Sequence, residues 1–175
     1  MSYRATEQIA DYGAARISLL VEAPFSTLRA RLEEAAPAFD PGELEPVRRG
    51  SLPWADFLRA LAWQAPHGFV RVAEDEPGRV LALAGGEAEA VLYLLTDWAI
   101  AARVHRLEPT ALLYVPIRLL LASRGTGATL SVEHPGPRLA AFGVNKLAQA
   151  GAELDRRLGD LLEELDLPRP SVLRR

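Results

Sequence analysis

Arg118 stands inside the most apolar stretch of the chain, Ala111–Ala122, two residues after Pro116 and close behind Tyr114. A guanidinium taken out of water needs a carboxylate or a bound anion beside it, because an unpaired buried charge is too costly to keep. Glu133, followed by His134, closes the next apolar run and is the nearest acid that a hairpin can bring opposite. An arginine facing an acid supports two chemistries. It is either a cross-strand ion pair, contributing about 0.2–1 kcal/mol, or the cationic end of an anion or carboxylate site beside Tyr114.

Gly125 and Gly127 lie between two apolar runs and mark a hairpin. Pairing Arg124 with Gly127 puts Arg118 opposite Glu133, Leu120 opposite Ser131 and Ala122 opposite Thr129. The other face then matches Leu119 with Val132 and Leu121 with Leu130. One face is apolar and the other mixed, as in a sheet with one buried side. A slip of one residue would exchange the faces and strip Arg118 of its acid. Pro116 cannot donate to a ladder, so it marks an edge, a bulge or a strand end.

The elements that position this hairpin follow from pattern and punctuation. Residues 16–21 form a short strand. Ser26 caps a helix running to Ala36, with Phe25, Leu28, Leu32 and Phe39 at helical spacing. A second short helix after Ser51 and Pro53 places Trp54, Leu58 and Leu61 on one face. Strands are expected over Phe69–Ala73, Arg79–Ala84 and Ala90–Leu95, with Glu76-Pro77-Gly78-Arg79 as a type II turn. Asp97 caps a helix over Trp98–Leu107, and Ala111–Ala122 and Thr129–Glu133 complete the strands.

The clearest helix comes last. Val144, Leu147, Gly151, Leu154, Leu158, Leu161 and Leu165 recur at steps of three and four. Each buried aliphatic side chain contributes roughly 1.5–3 kcal/mol, outweighing about 1 kcal/mol for each of Gly151 and Gly159. The helix is therefore docked, and Gly151 in its seam permits close backbone approach. The whole reads as α+β: an antiparallel sheet of about five to six strands with helices on one face and a long C-terminal helix. Residues 1–13 are expected as a loose arm, 14–168 as one domain and 169–175 as a tail.

The 175 residues carry a formal charge of −3, which provides no electrostatic footprint for nucleic acid. There is no cysteine, hence no disulfide, thiol nucleophile or thiolate metal site. His67, His105 and His134 are too scattered for a metal-ligand motif, so no metal or cofactor is expected. The charged start does not read as a signal peptide, and the 111–122 run is too short for a membrane span of about 20 residues. A cytoplasmic location away from membranes is the expectation.

The segment Tyr93–Gly143 resembles the domain-of-unknown-function family 302. The resemblance is carried by Tyr93, Ala102, Leu113-Tyr114-Val115-Pro116-Ile117-Arg118 and Glu133-His134-Pro135, with a leucine-rich helix following. Thr96-Asp97-Trp98 replaces that family's Gly-Asn-Pro turn, and Val132-Glu133 its Tyr-Asp. The resemblance implies a TATA-binding-protein-like sheet crossed by helices, and a homodimer. The leading expectation is a non-catalytic ligand-binding or assembly module, with a modest pocket near Tyr93, Tyr114, Arg118 and Glu133 and a small anion as ligand. An enzyme would use Glu133 or His134 as general base on an anionic substrate held by Arg118. A purely structural dimerisation module would use the charge pair only to hold register.

Overall fold

The computed structural model describes residues 4–7 and 9–174. Five strands form one antiparallel sheet: β1 (Arg16–Val21), β2 (Val70–Asp75), β3 (Ala90–Thr96), β4 (Ile117–Arg124) and β5 (Gly127–Glu133), in the order β1-β5-β4-β3-β2. The β4–β5 hairpin turns at Gly125, whose φ of +58° suits glycine. Its register is the expected one, with Leu119 opposite Val132, Leu121 opposite Leu130 and Arg124 opposite Gly127.

Alternation decides which face is dry. Ile17, Leu130, Val132, Leu119, Leu121, Val91, Tyr93 and Leu95 point inward and are buried. Against them pack α1 (Phe25–Ala35), α5 (Trp98–Leu107), α6 (Pro135–Ala140) and α7 (Asn145–Glu164), in one hydrophobic core. Leu147, Leu154, Leu158 and Leu161 of α7 are wholly buried in it, so the regular seam is intramolecular. A Cβ on Gly151 would lie 2.9 Å from the carbonyl oxygen of Gly136, which is the close backbone approach its position implied. A smaller cluster at the β2 edge gathers Phe57, Leu61 and Ala65 around Val70, beside Phe39 and Trp98. Phe57, Leu61 and Ala65 come from α3 (Trp54–Gln64) and the residue after it, while α2 (Glu45–Arg48) is a single turn before it. Trp54 stays at the surface, so the buried face of α3 is rotated from the expected one.

Several elements depart from the sequence pattern. Arg79–Ala84, expected as a strand, is helical: α4 (Pro77–Leu81) runs into a 3-10 turn over Ala82–Ala84. Pro77 is pre-organised for a first helical turn, and β3 already takes β2 as its ladder partner, leaving this segment without one. The expected strand from Ala111 begins only at Ile117. Pro109 opens a 3-10 helix over Pro109–Tyr114, capped by the Glu108 carboxylate, and a cis Val115–Pro116 bond leads into β4. Helix α1 starts at Phe25 with no side-chain cap, so Ser26 is inside it. Short α6 was not legible, since Pro135-Gly136-Pro137 has no apolar period. The expected tail returns against the end of α7, where Leu173 is buried and Arg169 bonds Asp160 and Glu163. No helix among the described residues is long and apolar enough to cross a membrane.

Candidate functional site

The outward face of the sheet carries one polar row at its end. Arg16 of β1 is paired with Glu133 of β5. Extending the hairpin register sets Glu133 opposite Arg118 of β4, which is itself paired with Leu94 of β3. Arg118 is not a buried charge: its side chain is 64% exposed, and its nearest approach to Glu133 Oε2 is 3.8 Å. The arginine expected to demand a partner thus reaches solvent, because alternation turns it away from the core that Leu119 enters.

Glu133 has a closer partner that the sequence did not reveal. Arg138 of α6 is paired with Glu133 Oε1, and the Arg138 side chain is only 15% exposed. Its guanidinium lies 5.1 Å from the ring centre of Tyr114 and 5.9 Å from that of Tyr12. The two rings meet edge to face at 5.6 Å, and Phe142 also meets Tyr114 edge to face at 6.0 Å. Cation–π and edge contacts of this kind hold a guanidinium in one place at a desolvated site. Arg138 and Arg118 both approach this one carboxylate, Arg138 far more closely, while Arg16 is its backbone register partner, so Arg118 is left without a close acid.

Helix α6 is held in turn by α7. Asp155 accepts from the Gly136 backbone N–H at Oδ1 (2.9 Å) and lies 2.9 Å from His134 Nε2 at Oδ2. Burial pushes the Asp155 carboxyl upward, and His134 and the Gly136 N–H oppose that. A Cβ on Gly136 would collide with this carboxylate. His134 is therefore an anchor between two helices and is turned from the cleft.

Beside Arg118 opens a groove of about 430 Å³, walled by Tyr12, Leu94, Leu113, Tyr114, Pro116 and Ile117 and closed by Arg118, Glu133 and Arg138. A neighbouring groove of about 390 Å³, walled by Ala14, Leu92 and Leu120, shares Arg118 and Glu133. Of the expected site residues, the structure brings together Tyr114, Arg118 and Glu133. Tyr93 is on the far side of the sheet. It pairs with Leu119 and points inward, while the next residue, Leu94, takes the place beside Arg118. Its hydroxyl donates to Glu33 Oε1 at 2.7 Å, and burial followed by Glu33 raises its pKa. Arg29 binds Glu33, Glu74 and Glu76 around it, making a structural network.

Tyr12, Leu94, Leu113 and Arg138 were missed. Tyr12 sits in an unpatterned arm and Arg138 in an unpredicted helix, so neither had a periodicity to betray it. Asp97, in the segment that replaces the family turn, is a buried N-cap. It accepts from the Ile100 N–H at 2.9 Å and pairs with Arg157 at 2.6 Å. Burial raises its pKa despite these partners. Among the described residues no group of three or more histidine, aspartate or glutamate side chains could hold a metal ion.

No family model matches the chain, and no curated protein matches it. Among solved structures it is similar to the crystal structure of an uncharacterized conserved protein DUF302 from Bacillus stearothermophilus, with a TM-score of 0.62 and 15% identity. The likeness covers 86% of this chain and 97% of that one. At such identity the likeness is one of fold. The five-stranded antiparallel sheet, its helical cover and the long C-terminal helix together make a DUF302-like α+β fold.

Proposed function

We propose that this protein is a non-catalytic module that binds a small anion in the groove at Arg118. The observation that carries the reading is a mismatch of charge: Glu133 is already matched by Arg138, so the exposed Arg118 guanidinium keeps unused donors at the groove mouth. Arginine is the side chain suited to planar, bidentate recognition of a carboxylate. The enzyme reading is disfavoured because Glu133 is engaged by Arg138 and His134 is not among the residues lining the groove.

Calorimetric titration with acetate and inorganic phosphate at low salt tests this reading. Binding should weaken as salt screens the site. Arg118→Gln should reduce affinity about 10- to 160-fold, the equivalent of about 1.5–3 kcal/mol for a hydrogen bond to a charged group. Equal binding by the variant and the parent, or none by the parent, refutes it.

Self-association is a second reading, supported by a separate observation. Leu20, 66% exposed, and Leu120 both lie on the outward sheet face over β1, β5 and β4, which no helix among the described residues covers. Native mass spectrometry should find a dimer that Leu20→Glu dissociates without unfolding. A monomeric parent removes this reading and leaves the first intact.

A further inference from the structure

We infer that the groove beside Arg118 takes a monocarboxylate with an apolar body, in preference to a compact anion or a dianion. This rests on the anion reading above and narrows its ligand class. The groove combines two chemistries: the Arg118 guanidinium, and an apolar lining that includes Leu94, its neighbour across the strands, with Leu113 and Pro116. Leu113 is 79% exposed, so its side chain is open to a ligand lying along that lining. A volume of about 430 Å³ falls in the range of roughly 300–1,000 Å³ typical of pockets for whole organic ligands. Acetate or phosphate on Arg118 would leave that apolar wall wet.

The charge arrangement sets the valence. Arg138 is paired with Glu133 and buries its Nε, so among the described residues lining this groove Arg118 is the guanidinium whose donors face solvent. Glu133, within 3.8 Å of Arg118, repels a second negative charge placed deeper. A single planar carboxylate satisfies the fork and adds no unmatched charge.

The test is calorimetric titration of the full chain with acetate, butyrate, hexanoate and octanoate, alongside succinate, inorganic phosphate and hexylammonium. Affinity should rise two- to fourfold with each added methylene, fourfold being the effect of full burial, until the chain outgrows the groove. Succinate should bind no better than acetate, and hexylammonium should not bind. Leu113→Ser alters a side chain mostly in water and leaves the fold intact. It should flatten the chain-length series while acetate binding stays unchanged. Leu120→Ser, in the adjoining groove, should alter neither. If acetate and phosphate bind at Arg118 but the series is flat, this inference is overturned and the small-anion reading stands. It is equally overturned if hexylammonium binds as well as hexanoate, or if Leu120→Ser flattens the series and Leu113→Ser does not. If no anion binds, the anion reading fails first and the inference with it.

Discussion

Two glycines in the same helix should respond in opposite ways to the same substitution. Gly151 and Gly159 both lie within α7, so alanine at either gains about 1 kcal/mol of helix propensity. Their surroundings differ. At Gly151 the new methyl would sit 2.9 Å from the Gly136 carbonyl oxygen, 3.0 Å from its Cα and 3.2 Å from the Leu139 Cβ. Two of these are backbone atoms, so α6 itself must move, and overpacking of that kind costs about 1–3 kcal/mol. The net for Gly151→Ala is a loss of about 0–2 kcal/mol. At Gly159 the neighbours, about 2.7–2.8 Å away, are guanidinium atoms of Arg169, the far end of a flexible side chain. Moving them loosens a part-buried bond to Asp160 and an exposed one to Glu163, and weakening surface ion pairs of this kind costs about 0.2–1 kcal/mol. Gly159→Ala should therefore be neutral or stabilised by up to about 0.8 kcal/mol. Urea unfolding with unchanged slope measures both, and the gap between them should centre on about 1.4 kcal/mol, within about 0–2.8 kcal/mol. Because α6 carries Arg138, Gly151→Ala should also weaken any anion bound at Arg118. A Gly151→Ala protein as stable as Gly159→Ala would refute the argument that backbone contact between α6 and α7 requires this glycine.

Gly68→Ala should be among the most damaging single-methyl additions. Its φ of +84° alone costs about 1–3 kcal/mol for a residue with a side chain. The added Cβ would also sit 2.6 Å from Asp97 Oδ2 and displace Arg157. A melting temperature within 2 °C of the parent would contradict this, since about 1 kcal/mol corresponds to roughly 2–4 °C at this size. The acids Glu33 and Asp97 should show opposite pH dependence. Burial pushes Glu33 up, but hydrogen bonds from Arg29 and Tyr93 outweigh it and hold its carboxyl below the usual range. Its stabilisation is present above the ordinary value of about 4.3 and is lost as pH falls through the lower folded value. Asp97, raised by burial, contributes most below about 3.9 and loses that contribution as pH rises through its folded value. The penalty of Glu33→Gln should thus grow between pH 3 and 6, and that of Asp97→Asn should shrink. Urea unfolding across that range decides it, and parallel slopes would show that neither carboxyl is displaced as argued.

What the sequence determined by itself was whatever is local or strictly periodic. The β4–β5 register followed from one turn and a two-residue alternation, so Leu119, Leu121, Leu130 and Val132 were correctly sent inward. The seam of α7 and the Asp97 cap were legible because a helix repeats and an N-cap acts within three residues. Tertiary structure decided the rest. Pro77 and Pro109 each converted an apolar run expected as strand into helix, because strand formation needs a neighbour that pattern cannot supply. The site depended most on that neighbour. Glu133 was read as the partner of Arg118, but Arg138, brought back by a short unpatterned helix, takes its carboxylate first. Tyr93 and Leu94 are adjacent in the chain and fall on opposite faces of the sheet, so one residue of parity moved the expected tyrosine out of the groove and put a leucine in its place. An ion pair or an apolar wall between distant segments is a property of how elements pack. Only the folded chain fixes which guanidinium is matched and which is left facing solvent.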